Sequence, residues 1–293
     1  MPLSAPNPTH SIERCMSLFR NILIPFSLTI ACAITFQSTQ ATVTENKLSY
    51  SDLADLTDSA PIVAVMRLQG QKPVYLDDVR DPKSRTRFYL VTGKVDSLIR
   101  GKDGIPQKIS FLVQAPKTPL KTRNRIWKRG SRLLVFARPS SPPGSIQLVS
   151  NNAAQTWSTE IETVVRAITT ELLAANPPPA IKGPGDSFHV AGTVEGESET
   201  QIFLKTATGE PVSLSVIRRP GESARWGVSL GEIVDDAATP PPPGSLLWYR
   251  LACSLPDHLP ATSTRGLSVI EAEAARRDYR FIMESLGSCG RTL

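Results

Sequence analysis

The chain has 293 residues, 40% of them hydrophobic and 20% charged, a balance that supports a buried core and excludes disorder throughout. Its 25 prolines require many loops and ordered linkers, and its formal charge of +6 is unevenly spread. Between Arg67 and Arg138 stand 18 Lys or Arg against 5 Asp, whereas from Ser150 onward 12 basic residues face 17 acidic ones. Such asymmetry marks a surface for an anionic partner. The competing reading is that scattered Lys and Arg keep a β-rich domain soluble and blunt its sheet edges.

From Met16 to Ala41 the chain reads as an export signal. Arg20 gives a positive flank, residues 22–36 an apolar run broken by Pro25, Ser27, Thr29 and Thr35, and Thr39-Gln40-Ala41 a small-x-small cleavage site. That run falls short of the roughly 20 apolar residues needed to span a bilayer. Residues 1–15 make a long leader, and a start at Met16 gives a signal of ordinary proportions. Cys32, after the small Ala31, is a candidate for lipid attachment, although Thr29 and Ile30 fit that pattern poorly. A cut after Ala41 leaves residues 42–293 and places the protein in the periplasm or outside the cell. The membrane is then met only through the signal or a lipid anchor.

Residues 48–59 predict a short helix with Leu53 and Leu56 inward, stopped by Pro61. Five strand-like runs follow, at 62–68, 87–99, 108–115, 132–137 and 146–149, with Gly93 as a bulge or coil point in the second. Five strands of this order and spacing suit a small closed barrel. Residues 159–175 predict an amphipathic helix with Ile161, Val164, Val165, Ile168 and Leu172 on one face, and Thr159 with Glu162 as its capping box. Pro177-Pro178-Pro179 ends it and acts as a semi-rigid hinge.

The second half predicts strands at 188–194, 200–206, 211–217 and 225–230, joined by turn-like segments into an antiparallel meander. Pro240 to Pro243 form a second spacer; Ser245 then caps a helix reaching residue 255, and residues 268–286 form the last helix. The expected fold is therefore α+β, mainly β with helices. A five-stranded barrel with flanking helices occupies 42–176, and a meander with two helices occupies 177–293.

Residues 60–149 resemble OB-fold-like barrels of secreted bacterial proteins. The resemblance rests on the turn Leu98-Ile99-Arg100-Gly101 and on the run Lys128-Arg129-Gly130-Ser131-Arg132-Leu133-Leu134-Val135-Phe136. It departs from them at 116–130, a basic loop without a clear helix. The mature chain also resembles a family of exported alphaproteobacterial proteins, through the stretches 196–204 and 248–253. That resemblance implies export and lends no activity.

Cys15 and Cys32 leave with the signal, so Cys253 and Cys289 remain as a pair that an oxidising compartment joins. Closing their 36-residue loop is worth about 3.8 kcal/mol in the chain-entropy picture. No Cys-x-x-Cys is present, which argues against a redox site.

The leading binding candidate is the basic loop with Lys117, Lys121, Arg123, Arg125, Lys128, Arg129 and Arg132 around Trp127. Cations beside an aromatic platform suit a single strand of nucleic acid or a sugar. Outside the cytoplasm nucleic acid is not the expected partner, and an anionic envelope component is. For catalysis, Gly227-Val228-Ser229-Leu230-Gly231 matches a nucleophile elbow, with Asp235 and His258 following in order. The elbow needs a parallel strand before Ser229 and a long helix after it, which the predicted meander does not supply. His189, between Phe188 and Val190, reads as an ordinary strand residue. Glu195, Glu197 and Glu199 alternate as a cation cluster would, yet read as a solvated acidic turn. No metal site and no cofactor are expected. The sequence thus points to a non-catalytic exported envelope protein that binds an anionic or protein partner through a basic barrel face. The alternatives are a secreted hydrolase using Ser229 or a carboxylate site, and a structural accessory subunit of an envelope complex.

Overall fold

The computed structural model describes residues 48–77, 85–115, 125–231 and 238–293, with backbone alone at 77 and 85. The expected export signal lies outside the described residues. Residues 46–293 form one compact unit.

Helix α1 (Tyr50–Ser59) starts where expected, because Ser49 and Asp52 form a reciprocal capping box. Strands β1 (Ile62–Asp77), β2 (Arg85–Arg100), β3 (Lys108–Gln114), β4 (Arg132–Pro139) and β5 (Ile146–Leu148) follow. They form an antiparallel sheet in the order β3-β2-β1-β4-β5, with the short β6 (Ala154–Thr156) also on β4. β1 runs nine residues past its predicted end, through Gly70 and Pro73, because its pairing with β2 continues to Asp77 opposite Arg85.

The expected closed five-stranded barrel is not what the sheet forms. Its edges β3 and β5 meet at a parallel bridge between Ser110 and Ser145, beside a 2.8 Å bond from Ser110 N–H to the Gly144 carbonyl. β5 has three residues and one edge already spent on β4, too little chain to carry a ladder along seven-residue β3. The seam beyond the bridge stays open.

β1 and β4 bury both faces, which is why Ile62-Val63-Ala64-Val65-Met66 and Leu133-Leu134-Val135-Phe136 do not alternate in character. Ala64, Met66, Leu133 and Val135 face Tyr89, Val91, Ile109 and Phe111 in the sheet's inner core. Val63, Val65, Leu134 and Phe136 face a helical layer on the other side. That layer holds α1, α2 (Thr159–Leu172) and α3 (Leu246–Ala252). The α2 cap is Ser158, whose hydroxyl accepts from Ile161 N–H at 3.3 Å, one residue before the predicted cap.

The meander is present as β7 (Ile181–Ala191), β8 (Ser198–Thr206), β9 (Val212–Arg218) and β10 (Arg225–Leu230), in the order β10-β9-β8-β7. β7 starts seven residues earlier than predicted, tolerating Gly183 and Pro184 because it is an edge strand with register irregularities there. Its inner face packs α4 (Val269–Leu286) and part of α3 through Ile202, Leu214, Val216, Leu251, Tyr279 and Ile282. Asp278 of α4, fully buried, accepts from Arg218 at 2.7–2.8 Å and from the Thr200 hydroxyl, fastening α4 to the sheet. α4 ends at Leu286 on Gly287, so Cys289 lies in the tail beyond the helix rather than on its apolar stripe. Cys253 and Cys289 sit at disulfide distance, 2.09 Å between sulfurs.

This tail is held by α1. Asp52 accepts from Thr292 N–H at 2.8 Å, Thr292 Oγ1 at 2.6 Å, Leu293 N–H at 3.1 Å, Ser49 N–H at 2.9 Å and Ser49 Oγ at 2.8 Å. Burial alone would raise its pKa; the donors from Thr292 and Ser49 outweigh it and hold the carboxyl down to about 2. One helical turn on, Asp55 accepts from Arg291 at 2.9 Å and from the Tyr249 hydroxyl, and Asp58 accepts two bonds from Arg250 at 2.7 and 3.1 Å.

A depressed carboxyl stabilises the fold above its unfolded pKa and ceases to as pH falls through its folded one. The wild type is therefore expected to lose about 2 kcal/mol between pH 5 and 2 through Asp52. Asp52→Asn is expected to be less stable at neutral pH and to lack this component, read from urea midpoints across that range. Gly93 supplies a second check: a Cβ there would lie 2.0 Å from Met66 Cε and 2.6 Å from the Arg67 carbonyl oxygen. The β-bulge lies opposite, between Leu68 and Gly70 of β1, and Gly93 permits that close approach. Gly93→Ala is expected to cost about 2 kcal/mol, seen as a lower urea midpoint at unchanged slope.

Candidate binding face

Antiparallel register, not sequence proximity, assembles the cations of the first sheet. Arg132 of β4 lies opposite Arg67 of β1, Arg67 opposite Lys94 of β2, and Lys94 opposite Lys108 of β3. Directly paired residues share a face, so these four side chains form one row across four strands. Like charges placed opposite one another cost stability. The row is partly neutralised at one end, where Asp96 lies 3.1 Å from Arg67 and 3.5 Å from Arg132. Arg132 also stacks on Trp157, its guanidinium carbon 3.5 Å from the ring centre. The Trp157 indole in turn donates to Glu162, whose pKa falls because of that bond first and of Arg166 next. Arg132 is thus a held cation. Lys94 and Lys108 are exposed, and among the described residues neither pairs with a carboxylate.

Beside the row runs a groove of about 720 Å³. The outward residues of β2 and β3, Phe88, Leu90, Leu112 and Gln114, form its floor, and the β4–β5 turn with residues 145–151 forms its wall. Through the open seam it reaches the inner-face residues Phe111, Val113 and Ile146. Asn151 donates to Gln114 at 3.4 Å across its far end, and the Ser110–Gly144 backbone bond joins floor to wall at the near end. Gly144 is needed there: its φ of +86° suits glycine, and a Cβ would stand 3.1 Å from the Lys108 carbonyl oxygen. Among the described residues no ionisable side chain lines the groove.

Of the loop singled out in the sequence, Lys117, Lys121 and Arg123 lie outside the described residues. Arg125, Lys128 and Arg129 are exposed on the segment that runs along β1. Gln71 holds that segment, accepting from Ile126 N–H at 2.9 Å and donating to the Trp127 carbonyl, while Gly130 N–H bonds Leu68 at 2.9 Å. Trp127 packs against the inner core and is not the open platform the sequence suggested. Arg132 joins the row instead. Lys94 and Lys108 were not singled out because their alignment exists only once β2 and β3 pair. Their shared outward parity, at even positions in two predicted strands, was the one available signal.

Ser229 lies inside antiparallel β10, opposite Ser213 of β9, and is buried. It sits within the ladder itself and not at a turn that would present it, so the elbow geometry is not formed at Ser229. His258 is exposed on the loop after α3, and Asp235 lies outside the described residues. His189 is more connected than an ordinary strand residue, its Nδ1 2.8 Å from Thr200 Oγ1 and so linked to buried Asp278. Glu195, Glu197 and Glu199 lie on or next to the β7–β8 turn, closed by Gly192 N–H to the Glu197 carbonyl at 2.8 Å. Among the described residues no three His, Cys, Asp or Glu gather as metal ligands, and no helix is long and apolar enough to cross a membrane.

Comparison of the chain with protein-family models and with curated proteins finds no match.

Asp96 is the carboxylate that makes the Arg67–Arg132 contact tolerable. Asp96→Asn is expected to lose about 0.5–1 kcal/mol, and less as salt screens the exposed cations. Urea unfolding at low and high ionic strength reads both effects.

Proposed function

We propose that this chain is an exported, non-catalytic binding protein of the bacterial envelope that holds an anionic partner on the outer face of β1, β2 and β3. The observation carrying this reading is the register-aligned row Arg132–Arg67–Lys94–Lys108, in which Asp96 contacts one end and the other end meets no carboxylate among the described residues. An anion laid along that row removes the repulsion that the empty sheet carries, so binding and local stability reinforce each other.

Two further features support the reading. The strand order β3-β2-β1-β4-β5, with β3 and β5 approaching in parallel, suits an OB-like barrel left partly open, and OB barrels use the β2–β3 face and the β4–β5 loop for linear ligands. Export rests on the signal-like leader at 16–41 and on the paired Cys253 and Cys289, which an oxidising periplasm or exterior would keep joined. The partner is then an anionic lipid headgroup or acidic glycan, both abundant there, rather than nucleic acid.

The test is retention of the oxidised protein on heparin and on vesicles containing anionic lipid. A cation near such a surface is worth about 1 kcal/mol, so Lys94→Ser with Lys108→Ser is expected to weaken vesicle binding about thirtyfold. The triple change Arg125→Ser, Lys128→Ser, Arg129→Ser probes the neighbouring segment and is expected to have the smaller effect. Absence of retention at physiological salt, or retention indifferent to Lys94 and Lys108, would overturn the reading.

A further inference from the structure

We infer that the partner is an anionic amphiphile, a lipid whose head sits on Lys94 and Lys108 and whose hydrocarbon chain lies in the adjoining groove. This rests on the anion-binding reading above and adds what the groove itself selects.

The outer face changes character in steps along β2 and β3. Lys94 and Lys108 form the first step, Thr92 and Ser110 the next, Leu90 and Leu112 the third, and Phe88 and Gln114 the last. Paired residues two positions apart on a strand share a face, so these steps follow one another on a single surface. At about 3.3 Å per residue, the stretch from Ser110 past Leu112 to Gln114 spans roughly 13 Å. Cations, then hydroxyls, then aliphatic and aromatic surface is the order of parts in an anionic lipid: charged head, polar ester region, chain.

A purely polar anion would leave most of this site unused. Leu112 is 42% exposed on a β-strand otherwise built to bury its apolar residues. The groove's apolar depth comes from the seam that β5 is too short to close, which opens a path from Leu112 to Phe111, Val113 and Ile146. Its volume, about 720 Å³, falls in the range that encloses a small-molecule ligand. The wall is neutral: Ser140, Ser141, Ser145 and Gln147 can bond ester or glycerol oxygens without introducing charge. Among the described residues the groove lining is wholly neutral, a surface that matches a hydrocarbon chain better than a charged polymer.

The experiment uses the full, oxidised protein and calorimetric titration with inorganic phosphate and with butyl, hexyl and octyl phosphate, each below its micelle concentration. Affinity is expected to rise about fourfold per added methylene, the ratio for moving one CH₂ out of water. The heat-capacity change is expected to become more negative with chain length. Leu112→Ser, at a solvent-facing position, should flatten that series while leaving heparin retention unchanged. Lys94→Ser with Lys108→Ser should weaken every member by a similar factor. If heparin is retained but affinity does not depend on chain length, the amphiphile is wrong and the anion-binding face stands. If neither heparin nor any phosphate binds, both fall. Chain-length dependence untouched by both sets of substitutions would place the binding elsewhere and overturn this site.

Discussion

Three aspartates spaced one turn apart on α1, Asp52, Asp55 and Asp58, receive residues that follow them by about 190 to 240 positions: Thr292 and Leu293, Arg291 and Tyr249, and Arg250. A helix with three carboxylates on one stripe is unfavourable alone, since like charges three residues apart repel. Here each carboxylate is satisfied by donors from the far end of the chain. The tail that supplies them is tied to α3 by the Cys253–Cys289 pair, with Ser51 of α1 bonding the Cys289 carbonyl. The segment after α4 is thus joined to α1 and to the helical layer.

From this junction the rest of the architecture follows. α1 is fixed against the outer faces of β1 and β4, so those strands must be apolar on both sides. α3 belongs to that layer through Leu246 and Tyr249 and to the second sheet's core through Leu251. Ser245 caps α3 as expected, its hydroxyl accepting from Trp248 N–H at 3.2 Å, and Glu171 of α2 adds a second acceptor, for Leu246 N–H at 2.9 Å. The two sheets therefore share a wall of helices, and Pro177-Pro178-Pro179 connects parts of one compact unit.

With the helical layer covering the outer faces of β4 and the first residues of β1, the outer face of β2, β3 and β1 from Arg67 onward is the surface left for a partner. Its character has two origins. The bulge facing Gly93 lets β1 and β2 coil closely, and the brevity of β5 leaves the seam with β3 open. Charge and apolar surface are consequently adjacent on one face, separated by a single step of hydroxyls. The same register that creates the cation row also sets how far it stands from the groove.

Local pattern was enough to read the elements whose periodicity or caps are strong. The helices expected at 48–59 and 268–286 are legible in short windows because their causes, a capping serine and an apolar stripe, are local. The pairing of Cys253 with Cys289 was legible too, once two other cysteines were assigned to a leader. Strand ends were not: β1 passes through Gly70 and Pro73, and β7 through Gly183 and Pro184, because a partner strand supplies the hydrogen bonds that propensity alone would forgo. The basic excess of residues 67–138 was determined by the sequence, but which cations act together was not. Arg67, Lys94, Lys108 and Arg132 are separated by up to 65 positions and become neighbours only through register, whereas Trp127, adjacent to the conspicuous basic run, turns inward. Composition and short-range pattern fix what each segment tends to form; long-range pairing decides which side chains meet, since that depends on contacts no window of the chain contains.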